Sequence, residues 1–132
     1  MLRLAALTGE REYEERAVAT MRLFAQAAAQ HPDAFGHLLR AIDFQLSPVR
    51  EVALVAPANG GTSADGLSEL ASVVRSAYRP HVVLAGGPEG SERPELMRER
   101  HAVEGRPAAY VCEHFACQAP VTEPEQLAAA LG

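Results

Sequence analysis

Residues 49–57, VREVALVAP, are almost continuously apolar and rich in valine. Such a run reads as a strand covered on both faces. A second run, HVVLAGG at 81–87, has the same character. Between them Leu67, Leu70, Ala71 and Val74 recur at helical spacing. Ser63 or Asp65 is placed to cap that helix, which runs to about Tyr78 before Arg79-Pro80 stops it. Strand, helix and strand within about forty residues predict a right-handed βαβ unit with parallel strands. The chain is thereby committed to an α/β fold.

Upstream the period is 3.6. In 10–30, Tyr13, Ala17, Met21, Phe24 and Ala28 form one apolar stripe, and four glutamates crowd the first turns, where the helix dipole favours them. HPD at 31–33 breaks the helix. Phe35, Leu38, Leu39, Ile42 and Leu46 give a second helix over 33–46, so 1–47 reads as a helical hairpin. Before it, LRLAALTGE places Leu4 and Leu7 on one face, and Gly9 suits the left-handed position after a helix. About seven residues make a marginal helix. The expectation is that residue 1 lies inside a longer protein's helix and that this chain is a fragment.

Downstream, residues 86–107 are charged and rich in glycine and proline, with one helical turn at Pro94–Arg98, and read as a mobile connection. AAYVCE at 108–113 is a third strand, its direction open. A last helix over 123–131 is placed for capping by Thr122, with Pro124 in its first turn. The fold expected is α/β: an N-terminal helical hairpin packed beside a small three-stranded sheet containing the βαβ unit, closed by a C-terminal helix. Residues 48–132 form the small α/β domain.

Composition narrows the classes. A chain of 132 residues with 48% hydrophobic content fits one core. Four phenylalanines, three tyrosines and no tryptophan leave that core to alanine and aliphatic side chains. The net charge is −5 with interspersed signs, so no basic stripe exists for nucleic acid. All 12 basic residues are arginine, a bias that fits a GC-rich, bacterial-type genome and excludes Schiff-base and phosphate-loop lysine chemistry. No run approaches the roughly 20 apolar residues that span a bilayer, and no signal-peptide layout is present. No membrane partner and a cytoplasmic location are the expectations.

Chemistry concentrates in YVCEHFACQAP, residues 110–120. Were 112–117 extended, the two cysteines would stand near 16 Å apart, at about 3.3 Å per residue. They meet only if the chain turns sharply at Glu113–Ala116. Their spacing is not that of a CxxC exchange motif. Cys112, His114 and Cys117 also supply three of the four ligands of a structural zinc site, and nothing places His101 as the fourth. Buried, reduced, structural cysteines are the first reading, with a disulfide and a metal site as alternatives. PANGGTSADG at 57–66 lies between strand and helix, where backbone N–H groups bind anions, but it matches no phosphate or dinucleotide fingerprint and reads as a turn. His31, His37, His81 and His101 are scattered, and no HExxH or GxSxG motif occurs. No catalytic residue, cofactor or metal is assigned. Without a resemblance the residues describe a small α/β domain and no activity.

GRPAAYVCEHFACQAPVTEPEQL, residues 105–127, resembles the C-terminal signature of the YyaL-type thioredoxin-domain-containing proteins, relatives of the animal spermatogenesis-associated proteins. The match rests on Gly105, Ala109, Tyr110, Val111, Cys112, Phe115, Cys117, Gln118, Pro120, Val121 and Thr122. It departs at His114, where asparagine is usual. Residues 4–17 and 51–87 also resemble that family. The resemblance implies a longer parent with a thioredoxin-like domain and an α/α toroid akin to six-hairpin glycosidases. Residues 1–47 would then be the toroid's last helix pair. The function expected is a non-catalytic C-terminal structural or accessory module of a parent with carbohydrate-related activity. A thiol redox or metal-binding module at Cys112 and Cys117 is the alternative. The partners expected are the rest of the parent and, for the isolated chain, a second copy docked through the helical hairpin.

Overall fold

A computed structural model describes residues 1–58 and 63–132, with the side chains of 63–65 also outside it. The glycine-bearing loop at 57–66 and the caps offered by Ser63 and Asp65 therefore fall largely outside the described residues.

Helix α1, Leu2–Thr8, ends at Gly9, whose φ of 71° is left-handed and whose N–H donates to Ala5 O at 2.8 Å. The stop read from Thr8-Gly9 is thus the one used. Helix α2 spans Arg11–Gln30; a 3₁₀ turn at Pro32–Phe35 follows, and α3 covers Gly36–Leu46. In α2, Met21 and Ala28 are buried as the stripe requires, but Phe24 stays exposed. In α3 the expected face is rotated. Phe44 is its buried residue, whereas Leu39 is exposed and Leu46 is 81% exposed. The cause is Phe44's position under Arg3, whose guanidinium sits 4.8 Å from the ring centroid and donates to Pro80 O and Val82 O.

Strand β1 spans Arg50–Ala56, α4 Ser63–Arg75 and β2 Val82–Pro88. Strands β1 and β2 are parallel with α4 between them in the chain, so the βαβ unit is present. Helix α4 ends at Arg75, earlier than Tyr78. Strand β3, Ala108–Glu113, runs antiparallel to β1 and settles the open direction. A fourth strand β4, Ala116–Cys117, extends the sheet to the order β2-β1-β3-β4. Helix α5, Pro124–Leu131, has Glu123 rather than Thr122 at its N-cap, with no side-chain cap bond. The Thr122 hydroxyl instead donates to the Glu123 carboxylate at 3.4 Å.

Alternation along β1 divides the core in two. Val52 and Leu54 face α4 and α5, packing with Leu70, Val74, Val111, Leu127 and Leu131. Ala53 and Val55 face the other way, onto Ala85, Leu96, Met97 and Cys112, with Leu7 of α1 alongside. Leu96 and Met97 belong to a 3₁₀ turn, Glu95–Met97, inside the stretch read as a mobile connection. That reading is corrected: both side chains are fully buried and close the second half of the core. Burying each such side chain contributes about 1.5–3 kcal/mol toward holding this charged, proline-rich segment against the sheet. Glu89 helps by accepting from the backbone N–H groups of Ala58 and Ala102.

Candidate disulfide hairpin and buried glutamate

Strands β3 and β4 are joined by a two-residue loop, His114-Phe115, with φ of 49° and 63°. Positive φ at both central positions is the type I′ pattern, whose twist matches that of the flanking strands. Histidine, like asparagine, enters the left-handed region more readily than most residues. This is the sharp turn that the cysteine spacing demands. Val111 O accepts from Gln118 N, which leaves Cys112 and Cys117 as a non-hydrogen-bonded pair, the closer kind. Their Cα atoms are 3.9 Å apart and a disulfide joins them. The reading of two reduced cysteines is corrected accordingly. The close approach of a tight hairpin brings the sulfurs together, which neither an extended strand nor a helix could do.

Cys112 is 1% exposed and Cys117 is half-buried. His114 is exposed at the tip. While bonded to each other, neither sulfur is a thiolate ligand. Among the described residues no group of three or more His, Cys, Asp or Glu is arranged to hold a metal ion. His101 is held elsewhere, its backbone exchanging hydrogen bonds with the Tyr110 hydroxyl. His81 meets Asp43 at 2.6 Å, and His31 and His37 are exposed on the helical side.

The residue that sequence reading missed is Glu51. It shares its face of β1 with Ala53 and Val55 and is only 4% exposed. Its Oε2 accepts from Phe115 N–H at 2.8 Å. Burial raises its pKa above the usual glutamate value; the Phe115 hydrogen bond and His114 oppose the shift, and Glu113 adds to it. Next to Arg50 at the start of β1, Glu51 carries no sequence signal of burial.

Beside Glu51 lies a cavity of about 260 Å³ between α1, the ends of α2 and α3, and the hairpin tip. Leu2, Ala5, Ala6, Phe44 and Val49 provide apolar walls. Glu51, His114, Glu10, Arg11 and Glu14 provide the charged and titratable groups. The Phe115 ring covers Gly9, where an added Cβ would lie 3.5 Å from it.

Fold and site together define a small mixed-sheet α/β module whose last sheet corner is a disulfide-closed hairpin over a buried carboxylate. Across 96% of its length the chain is similar to spermatogenesis-associated protein 20 of Homo sapiens and of Rattus norvegicus, 27% identical to each. The Mus musculus protein of the same name is 26% identical over the same share. The chain spans 16% of the length of these relatives. No family model and no solved structure matches it.

Proposed function

We propose that the chain works as a non-catalytic C-terminal accessory module of a longer protein and docks through the outer face of its α2–α3 hairpin. The observation that carries this is the apolar surface there. Leu23 is 76% exposed, Phe24 of the same helix and Leu39 of α3 are exposed too, and the Phe24 ring meets the Phe35 ring in a tilted pair with centroids 6.2 Å apart. Several large apolar side chains left exposed on one helical hairpin favour an interaction surface. The short match to much longer relatives supports the same reading, with the remainder of the parent as the occupant. Alone, two copies should cover the face mutually. Light scattering on the isolated chain is expected to give a dimer, and a Leu23→Glu, Phe24→Glu double variant a folded monomer. A wild-type chain that stays monomeric at high concentration overturns the reading.

The resemblance extends this proposal to a parent with a thioredoxin-like domain, an α/α toroid and carbohydrate-related turnover. Comparing the full-length parent with a version lacking residues 1–132 tests that extension. Unchanged turnover would remove this segment from the activity.

The Cys112–Cys117 bond favours a second reading, a thiol–disulfide site. Cys117 is the more exposed residue of the pair and Cys112 the buried one, an asymmetry that favours attack of an incoming thiolate at Cys117.

A further inference from the structure

This inference rests on the thiol–disulfide reading of Cys112 and Cys117. Strand register sets Glu51 directly opposite Cys112, and Cys112 directly opposite Cys117. The three side chains therefore share one face in one row across β1, β3 and β4. Direct cross-strand partners hold their Cβ atoms about 4.5–5.5 Å apart. The Glu51 carboxylate is further tied, through Phe115 N–H, to the loop that the disulfide closes. Among the described residues no cationic side chain forms a salt bridge with it.

Opening the disulfide creates a specific problem. A dithiol's thiolate that attacks the Cys117 sulfur breaks the S–S bond and leaves the electron pair on Cys112. That sulfur is 1% exposed, among Ala53, Val55, Leu96 and Met97. A thiolate in apolar surroundings without a cation is strongly disfavoured. It needs a proton on release, and it must lose one when the bond re-forms.

We infer that Glu51 is the proton reservoir of this disulfide, donating to the Cys112 sulfur on reduction and accepting that proton on oxidation. In the forward direction the carboxylic acid gives its proton to the Cys112 thiolate. The dithiol's second thiolate then attacks its own mixed-disulfide sulfur, releasing Cys117 and closing the reductant's disulfide. The adjoining cavity gives the carboxylate its route to water for re-protonation. His114 and Glu113 of the hairpin act on the Glu51 charge, and the other titratable or charged groups that line the adjoining cavity are Glu10, Arg11 and Glu14 from the start of α2. The raised Glu51 pKa agrees with a carboxyl that holds a proton more readily than an exposed one.

The test is reduction of the disulfide by dithiothreitol, followed by thiol trapping and mass spectrometry from about pH 4 to about pH 9. Rates are normalised to the reductant's thiolate concentration. In the wild-type chain the normalised rate is expected to fall by about 10-fold or more as Glu51 loses its proton. Glu51→Gln keeps an acceptor for Phe115 N–H, so a merely structural role would leave its profile parallel to wild type. The expected profile is instead flat and slow. Superimposable profiles, or a wild-type profile that is itself flat, overturn the inference while leaving a reducible disulfide in place. A disulfide that resists the reductant at every pH in the folded chain overturns the thiol–disulfide reading beneath it.

Discussion

Glu51 and Phe115, 64 positions apart, are joined by a 2.8 Å hydrogen bond from the Phe115 amide to the Glu51 carboxylate. The bond fastens the tip of the β3–β4 hairpin to the centre of the sheet. It also fixes a pH dependence. Burial raises the folded-state pKa of Glu51 above its unfolded value. Its contribution to stability is therefore fully present below the unfolded pKa and is lost as pH rises through the folded one. Urea denaturation at acidic and neutral pH should show wild type losing ground to Glu51→Gln as the pH increases. A stability gap that is constant with pH would contradict the assignment.

Glu89 should behave in the opposite sense. Backbone N–H groups of Ala58 and Ala102 hold its carboxylate below the usual glutamate pKa. Its contribution is present above the unfolded pKa and lost as pH falls through the folded one. Carbon-detected NMR titration should give a midpoint below that of an unstructured glutamate, and Glu89→Gln should abolish the acid-side loss.

Leu96→Ala should destabilise the chain by about 2–5 kcal/mol, since it empties a fully buried site in the second half of the core. The denaturant midpoint measures this. A change of only a few tenths of a kcal/mol would mean that the segment carrying Leu96 does not pack as described.

His114 occupies a left-handed position, so a β-branched residue there is penalised. His114→Val should cost about 1–2 kcal/mol, whereas His114→Asn should be neutral or stabilising. Thermal unfolding of the three proteins orders them. Equal stability of the valine variant would refute the turn geometry.

Replacing both Cys112 and Cys117 by alanine should cost about 2 kcal/mol from loop entropy alone, because the ring closed by the bond is short. Intact-mass measurement with and without reductant establishes the starting state, and calorimetry gives the loss.

The βαβ unit was legible because valine-rich runs around a helical period leave few alternatives. Gly9 was legible for the same local reason. Leu96 and Met97 were not, since two apolar residues among prolines, glutamates and arginines carry no period. Their burial is decided by the empty face of β1 beside Ala53 and Val55. The hairpin was half legible. The cysteine spacing demanded a turn, but His114-Phe115 lacks the Asn-Gly signature that would have announced one. Glu51 was hidden for a different reason: a charged residue at a strand start reads as a solvated end, and only the register against Cys112 reveals its place.

The sheet is finished at both borders. On one side β4 contributes two residues, too few unpaired backbone groups for a passing chain to zip onto. On the other, the Arg3 guanidinium occupies the Val82 and Pro80 carbonyls where β2 begins. Loss of that arginine would bare the start of this strand's outer margin, where another strand could add on.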